Sequence, residues 1–166
     1  MRFLRKFNEN LEISDIEQVI EHVEYCFYDL IDLNFKVEIT PLHSVYKNNK
    51  SLYPGTAHRQ EIRNWNIDKF DTIKIHIYQV NPRNEEINIV FSSEHREDIM
   101  SCLENATNYL SREWSGAYLT RVEYEKPVTV QKVSHPSTAI DADWFWSGNS
   151  FYSMTFFIEK GNKVLP

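Results

Sequence analysis

An apolar stripe with helical spacing begins at Ile16 and is the clearest regular pattern in the chain. Its residues recur at intervals of three and four, as in a helix that packs one face against a core, and they predict a helix over 15–33. Ser14 and Glu17 have the S-x-x-E spacing of a capping box, which predicts that this helix starts at Ser14. The stripe consists of Ile16, Val19, Ile20, Val23, Cys26, Phe27, Leu30 and Ile31.

The outer face of this predicted helix is acidic and contains no lysine or arginine. Such a face is usually a solvated surface, and the alternative is a docking surface for something basic. The acidic residues are Asp15, Glu17, Glu21, Glu24, Asp29 and Asp32.

A second helix is predicted from about Ser93 to about Trp114, where apolar residues again recur with helical spacing. Glu94 lies in the first turn, where the helix dipole favours a negative charge. Gly116 is a suitable residue to end the helix. The apolar stripe is Ile99, Leu103, Ala106, Leu110 and Trp114.

Strands are predicted between the two helices by alternation of apolar and polar residues. The first covers 35–40 and ends at Pro41. Two more, over 73–78 and 87–91, are joined at Asn81–Asn84 and predict a hairpin.

Further strands are predicted after the second helix. Alternation covers 118–124, and a short strand resumes over 128–133 after Pro127, where a proline is typical of a sheet edge. The stretch 134–150 is predicted as a loop, and the last strand as 151–159.

This order of elements predicts an α+β fold in one domain over 1–166: a mixed or antiparallel sheet of about five or six strands with two main helices packed on one face. Met1–Leu11 mixes basic and apolar residues and is predicted as a short helix or a docking arm. A helix over 57–65 would make the middle of the chain resemble a split β-α-β-β-α-β unit.

Composition narrows the class of protein. The 166 residues are 42% hydrophobic, enough for a core, and the net charge of −6 disfavours general, charge-driven binding of nucleic acid. No apolar run is long enough to span a membrane and no signal peptide is recognised, so we expect a cytoplasmic protein. Cys26 and Cys102 are interpreted as buried free thiols.

Motifs of the common enzyme classes are missing from the sequence. It contains no Gly-rich phosphate-binding motif, no G-x-S-x-G and no H-E-x-x-H, so we predict no catalytic residues, no cofactor and no metal. His135-Pro136-Ser137 is a single H-x-[ST] tripeptide, whereas two-histidine phosphoesterases need a pair. Asp141 and Asp143 could contribute to a divalent cation site, but a solvated turn is the simpler interpretation.

The run Trp144-Phe145-Trp146 is the most unusual local feature. One interpretation is that alternate rings close one end of the core. The other is that the run is a rigid aromatic anchor for a partner or a flat ligand, because tryptophan is favoured at the centre of interfaces.

The segment 42–70 is locally basic and also rich in aromatic residues. Its five lysines and arginines exceed its two acidic residues by three. Such a mixture suits an anionic ligand with an aromatic face, such as a nucleotide or single-stranded nucleic acid. It equally suits a loop that pairs with the acidic first helix of the same molecule.

The first nine residues, M-R-F-L-R-K-F-N-E, resemble the start M-K-x-[LI]-K-x-[FY]-x-E of many small accessory proteins of tailed bacteriophages. Arginine replaces lysine at two of the matching positions. The resemblance implies a phage origin and no particular activity. The matching residues are Met1, Arg2, Leu4, Arg5, Phe7 and Glu9.

Three hypotheses about function follow. The first is a non-enzymatic phage accessory protein that binds a host or phage macromolecule, most simply a protein, through Trp144, Trp146, Tyr53, Arg59 and Arg63. The second is a small-molecule binder or enzyme for an anionic nucleotide-like ligand, using His58, Arg59, Arg63, His135 and Asp143. The third is a structural component of the virion. A protein partner is expected, no membrane is expected, and nucleic acid is an alternative partner only through the basic segment 42–70.

Overall fold

Helices and an antiparallel sheet form two layers in the computed structural model. The structure describes residues 15–45, 50–52, 65–81, 84–89, 93–125, 132–147 and 150–161, with backbone alone at 43–45, 50–52, 80–81 and 84–89. The helices are α1 (Ile16–Cys26), α2 (Tyr28–Asp32), α3 (Arg96–Trp114) and the single turn α4 (Asp143–Trp146). The strands are β1 (Phe35–Val45), β2 (Lys50–Leu52), β3 (Thr72–Asn81), β4 (Asn84–Ile89), β5 (Ala117–Glu125), β6 (Lys132–Pro136) and β7 (Ser153–Lys160).

The strands lie in the order β2-β1-β3-β7-β5-β6, and every neighbouring pair is antiparallel. The body of the sheet consists of the five strands β1, β3, β7, β5 and β6, and β2 is a short extension beside β1. β4 pairs with the last residues of β3 and completes the predicted hairpin. The α+β class and the antiparallel alternative are therefore confirmed.

One face of the sheet is apolar and carries the helices. Ile75 of β3 lies opposite Ile39 of β1 and Phe156 of β7, and Phe156 lies opposite Val122 of β5. Ile75, Phe156 and Val122 are fully buried, together with Val19 and Val23 of α1 and Leu103 and Leu110 of α3. The alternation seen in the sequence is therefore the alternation between this core face and an opposite, polar face.

The first helix differs from its prediction in two details. It breaks at Phe27, where φ is −103° and ψ is 13°, before resuming as α2. Its N-cap is Asp15, without a side-chain cap, and the N–H of Ile16 donates to the carbonyl of Trp65 at 2.8 Å. The N-cap is therefore one residue later than predicted, and a backbone bond ties the start of the helix to a distant segment. Ser14, and with it the predicted capping box, lies outside the described residues.

Strand β1 does not end at Pro41, as predicted, but continues to Val45. Proline removes one backbone donor, and this is tolerated where a strand has a neighbour on one side only. At Pro41 the described neighbour is β3, whose Ile73 lies opposite, and β2 pairs only from His43 onward.

The predicted loop over 134–150 is also partly wrong. β6 extends to Pro136, a 3-10 turn covers Ser137–Asp141, and α4 follows. The segment is ordered because its apolar side chains, including Ile140 and Phe145, are buried in the core. The predicted arm over 1–11 and all but the last residue of the predicted helix over 57–65 lie outside the described residues.

Both cysteines are free thiols, but only Cys102 is buried as predicted. Cys102 is buried, and desolvation raises its pKa to about 11, while Cys26 is half-buried. No helix in the described ranges is sufficiently long and apolar to cross a membrane.

Candidate functional site

The aromatic run forms one helical turn, and this decides which of its rings is exposed. Trp144 is 57% exposed, whereas Phe145 and Trp146 are 0% and 1% exposed. Successive residues of a helical turn point about 100° apart, so two adjacent rings enter the core and the third does not. The expectation that alternate rings close the core is therefore wrong in its spacing, and Trp146 is a core residue here, not part of an exposed anchor.

Buried contacts hold this turn in place. The indole N–H of Trp146 donates to the carbonyl of Ile140 at 2.8 Å. The Phe145 ring stacks on Phe151 with centroids 5.6 Å apart and meets Tyr124 edge-on at 5.3 Å. Aromatic pairs in these geometries stabilise beyond their buried area by about 0.5–1.5 kcal/mol each, so the turn is a fixed part of the core.

Arg96, the first residue of α3, ties the outer side of the turn to the helical layer. Its Nη1 donates to Oδ1 of Asp143 at 2.7 Å, and its Nη2 donates to the carbonyl of Asp141 at 3.0 Å. The Asp143 side chain is exposed, so this ion pair contributes at most about 1 kcal/mol. Its effect is to orient the residue that precedes Trp144.

Trp144 lies beside His135 of the edge strand β6. The two rings meet edge-on with centroids 5.4 Å apart. His135 also stacks on Tyr124 at 5.7 Å, with its Nε2 atom 3.4 Å from the Tyr124 hydroxyl. We call Trp144, His135 and Asp143 the anchor surface. The structure thus brings Trp144, predicted to bind a partner, close to His135 and Asp143, predicted to bind an anionic ligand.

The remaining predicted site residues are not placed by the structure. Tyr53, His58, Arg59 and Arg63 lie outside the described residues, as does most of the basic segment 42–70. Their assignment to a partner or to a phosphate group stays a prediction. Among the residues that are described, no group of three or more His, Cys, Asp or Glu side chains could hold a metal ion.

A second feature, missed in the sequence, is a concavity of about 260 Å³ on the polar face of the sheet. Glu38, His76, Thr155 and Glu123 lie directly opposite one another across β1, β3, β7 and β5. Thr155 is buried at the base of this row, and its Oγ1 lies 2.8 Å from Nδ1 of His76. The sequence predicts each of these residues at a polar position of a strand. Their alignment in one row depends on the order of the strands, which the alternation of apolar and polar residues does not predict.

Charge in this concavity is mixed, with more acid than base. Its lining includes Glu38, Glu123 and Glu125 against Lys74 and Lys132. The Oε2 atom of Glu123 lies 2.8 Å from Nζ of Lys132. The two groups form an ion pair, but their geometry is not that of a hydrogen bond. This composition disfavours an anionic ligand.

No protein family, curated protein or solved structure matches this chain. The expected relation to phage accessory proteins therefore stays a prediction.

His76 makes the stability of the sheet dependent on pH. Burial lowers its pKa, assisted by Lys74 and Lys132 and opposed by Glu38 and Glu125. The unfolded state therefore takes up a proton near the usual histidine pKa of about 6.5, whereas the folded state takes it up only at lower pH. The contribution of His76 to stability is therefore fully present above the unfolded-state pKa. It is lost as the pH falls from that pKa towards the lower pKa of the folded state.

We expect His76→Gln to reduce this loss. Urea denaturation of both proteins at about pH 7.5 and about pH 5 would give the change in the free energy of unfolding. All other titratable groups are common to the two proteins, so the difference between them reports on His76. An equal loss in both proteins would contradict the assignment.

Proposed function

We propose that this chain is a non-enzymatic accessory protein that binds a protein partner, with Trp144 at the centre of the interface. The observation that carries the proposal is the exposure of Trp144 beside two buried aromatic neighbours. Burying a large apolar side chain is favourable by about 1.5–3 kcal/mol, and this ring forgoes much of that in the isolated chain. Tryptophan is among the residues most enriched at binding hot spots.

The rigidity of the turn supports the same function. Trp144 projects from a turn that is fixed by the Trp146 hydrogen bond, the Phe145 ring contacts and the Arg96 ion pair. An anchor that is already ordered loses little conformational freedom when it binds, so more of its contact energy becomes affinity.

The neighbours of Trp144 suit the rim of an interface. His135 is half-buried and Asp143 is exposed, and both can form hydrogen bonds around an apolar centre. Interfaces between proteins combine an apolar centre with such a polar rim.

The alternative of an anionic nucleotide-like ligand has weaker support. His135 and Asp143, two of its predicted ligand-binding residues, lie at the anchor surface, whereas the concavity lies on the opposite face of the sheet and is rich in glutamate. The N-terminal resemblance suggests a phage source, in which case the partner would be a host or phage protein in the bacterial cytoplasm.

Trp144→Ala is expected to abolish partner capture without unfolding the domain. The experiment is a pull-down from bacterial lysate with the tagged full chain, analysed by mass spectrometry. Loss of a hot spot costs about 2 kcal/mol or more, or roughly thirtyfold in affinity. The matched control is Trp65→Ala, since Trp65 is also an exposed tryptophan and lies against Phe70.

The proposal requires one protein to be recovered by the wild type and by the Trp65 variant but not by the Trp144 variant. Recovery by all three would exclude Trp144 from the interface. Recovery of no stoichiometric protein by the wild type would contradict the protein-binding function itself. Thermal unfolding of each variant checks that the fold is intact.

A further inference from the structure

The segment 15–33, which contains α1 and α2, carries a charge equal to the whole net charge of the chain. Residues 15–33 contain six carboxylates and no lysine or arginine, and the other 18 acidic residues of the chain are balanced by its 18 basic ones. All six carboxylates are exposed: Asp15, Glu17, Glu21, Glu24, Asp29 and Asp32.

The same surface exposes large apolar side chains. Five such side chains are exposed in the described part of the chain, and three of them, Tyr25, Tyr28 and Leu33, lie here. Tyr25 and Tyr28 are 54% and 49% exposed, and their rings meet edge-on with centroids 5.3 Å apart. Glu21 precedes Tyr25 by four residues in α1, and Asp32 follows Tyr28 by four residues in α2, so each tyrosine has an acidic neighbour on its own helix. The contact between the two rings joins these pairs across the break at Phe27.

The charge of this surface is not explained by the stability of the fold. The core side of α1 is formed by Ile16, Val19 and Val23, which are buried. None of the ion pairs found among the described residues involves the six carboxylates. Like charges at neighbouring positions of a helix destabilise it by a few tenths of a kcal/mol per pair.

We propose that this acidic tyrosine face, formed by the six carboxylates with Tyr25, Tyr28 and Leu33, binds a basic amphipathic segment of a partner protein. Nucleic acid and anionic lipid surfaces are repelled by a face without positive charge. A segment that carries arginine or lysine around apolar residues complements both properties of the face. The inference is independent of Trp144, which is carried by different elements.

The two kinds of side chain have different roles in this binding. Tyrosine supplies a large contact area with little loss of conformational freedom, so Tyr25 and Tyr28 provide most of the affinity. Exposed carboxylates mainly raise the association rate and select a basic partner, and their effect is screened by salt.

The test is fluorescence anisotropy with the full chain and a labelled helical peptide of about 18 residues, with leucine at every third or fourth position and arginine elsewhere. A second peptide has glutamate in place of arginine. Double substitution of Tyr25→Ala with Tyr28→Ala is expected to raise the Kd about tenfold or more. Glu21→Gln with Glu24→Gln is expected to raise it about fivefold, with less effect at high salt.

The matched control is Glu97→Gln with Glu104→Gln, which removes the same charge from exposed positions of α3. We expect this variant to change the Kd by less than about twofold. Equal weakening by both glutamine variants would show that only net charge attracts the peptide, and would overturn the proposal.

Two other outcomes would also overturn it: no binding of the arginine peptide by the wild type, or equal binding of the glutamate peptide. The Trp144→Ala variant separates this inference from the anchor surface. It is expected to bind the arginine peptide like the wild type. If it does not, the peptide occupies the anchor surface, and the acidic tyrosine face is excluded while the proposed function stands.

Discussion

Trp146→Ala is expected to lower the free energy of unfolding by about 3–5 kcal/mol, the usual cost of replacing a buried large aromatic residue with alanine. The ring is 1% exposed and packs against Phe145 and Phe151. The substitution also leaves the carbonyl of Ile140 without the indole N–H that donates to it. Domains are stable by only about 5–15 kcal/mol, so this loss is large.

Trp144→Ala is the internal control, since it changes the same residue type two positions earlier. We expect it to lower the free energy of unfolding by less than about 1 kcal/mol, because its ring is exposed. Urea denaturation of the two variants measures the difference. Similar losses would mean that the turn is not oriented as described. A double substitution of Trp144 and Trp146 would change binding and folding together, so it would not separate the two effects.

Ile75→Asp is expected to prevent folding. Ile75 is fully buried on β3, in the middle of the sheet, and no basic side chain faces it across the described pairs with Ile39 and Phe156. A buried carboxylate without a partner costs more than about 4 kcal/mol or has to be protonated. This is comparable with the total stability of a domain of this size.

Lys36→Asp on the adjacent strand β1 provides the comparison. Lys36 is exposed, and we expect its replacement to change the free energy of unfolding by less than about 1 kcal/mol. Circular dichroism and urea denaturation distinguish the two results. A cooperatively folded Ile75→Asp protein at neutral pH would contradict the assignment of the core face.

Much of the fold follows from local patterns in the sequence. The helical stripe that begins at Ile16 and the alternation of Ile73, Ile75 and Ile77 each depend on side chains a few residues apart. The structure confirms that these side chains form the buried faces, because each pattern repeats often enough to define one face of a helix or strand. The antiparallel α+β class then follows from the order of the elements.

The errors arise where distant residues decide the local structure. Pro41 would end a strand that had neighbours on both sides, but among the described strands only β3 pairs with β1 at that position. The exposure of Trp144 depends on a turn that is held by the contact of Phe145 with Tyr124 and by the ion pair of Asp143 with Arg96, which is 47 residues away. The concavity depends on four strands that meet only after the strand order is set. None of these partners can be read from the flanking sequence.

The position of β7 has a consequence for synthesis of the protein. This strand lies between β3 and β5, yet it is translated after both of them and after β6. Until β7 leaves the ribosome, the sheet consists of two separate parts, each with an unpaired inner edge. Unpaired edges are the surfaces through which strands of different molecules associate. The nascent chain is therefore most exposed to aggregation, and most in need of chaperones, shortly before β7 emerges.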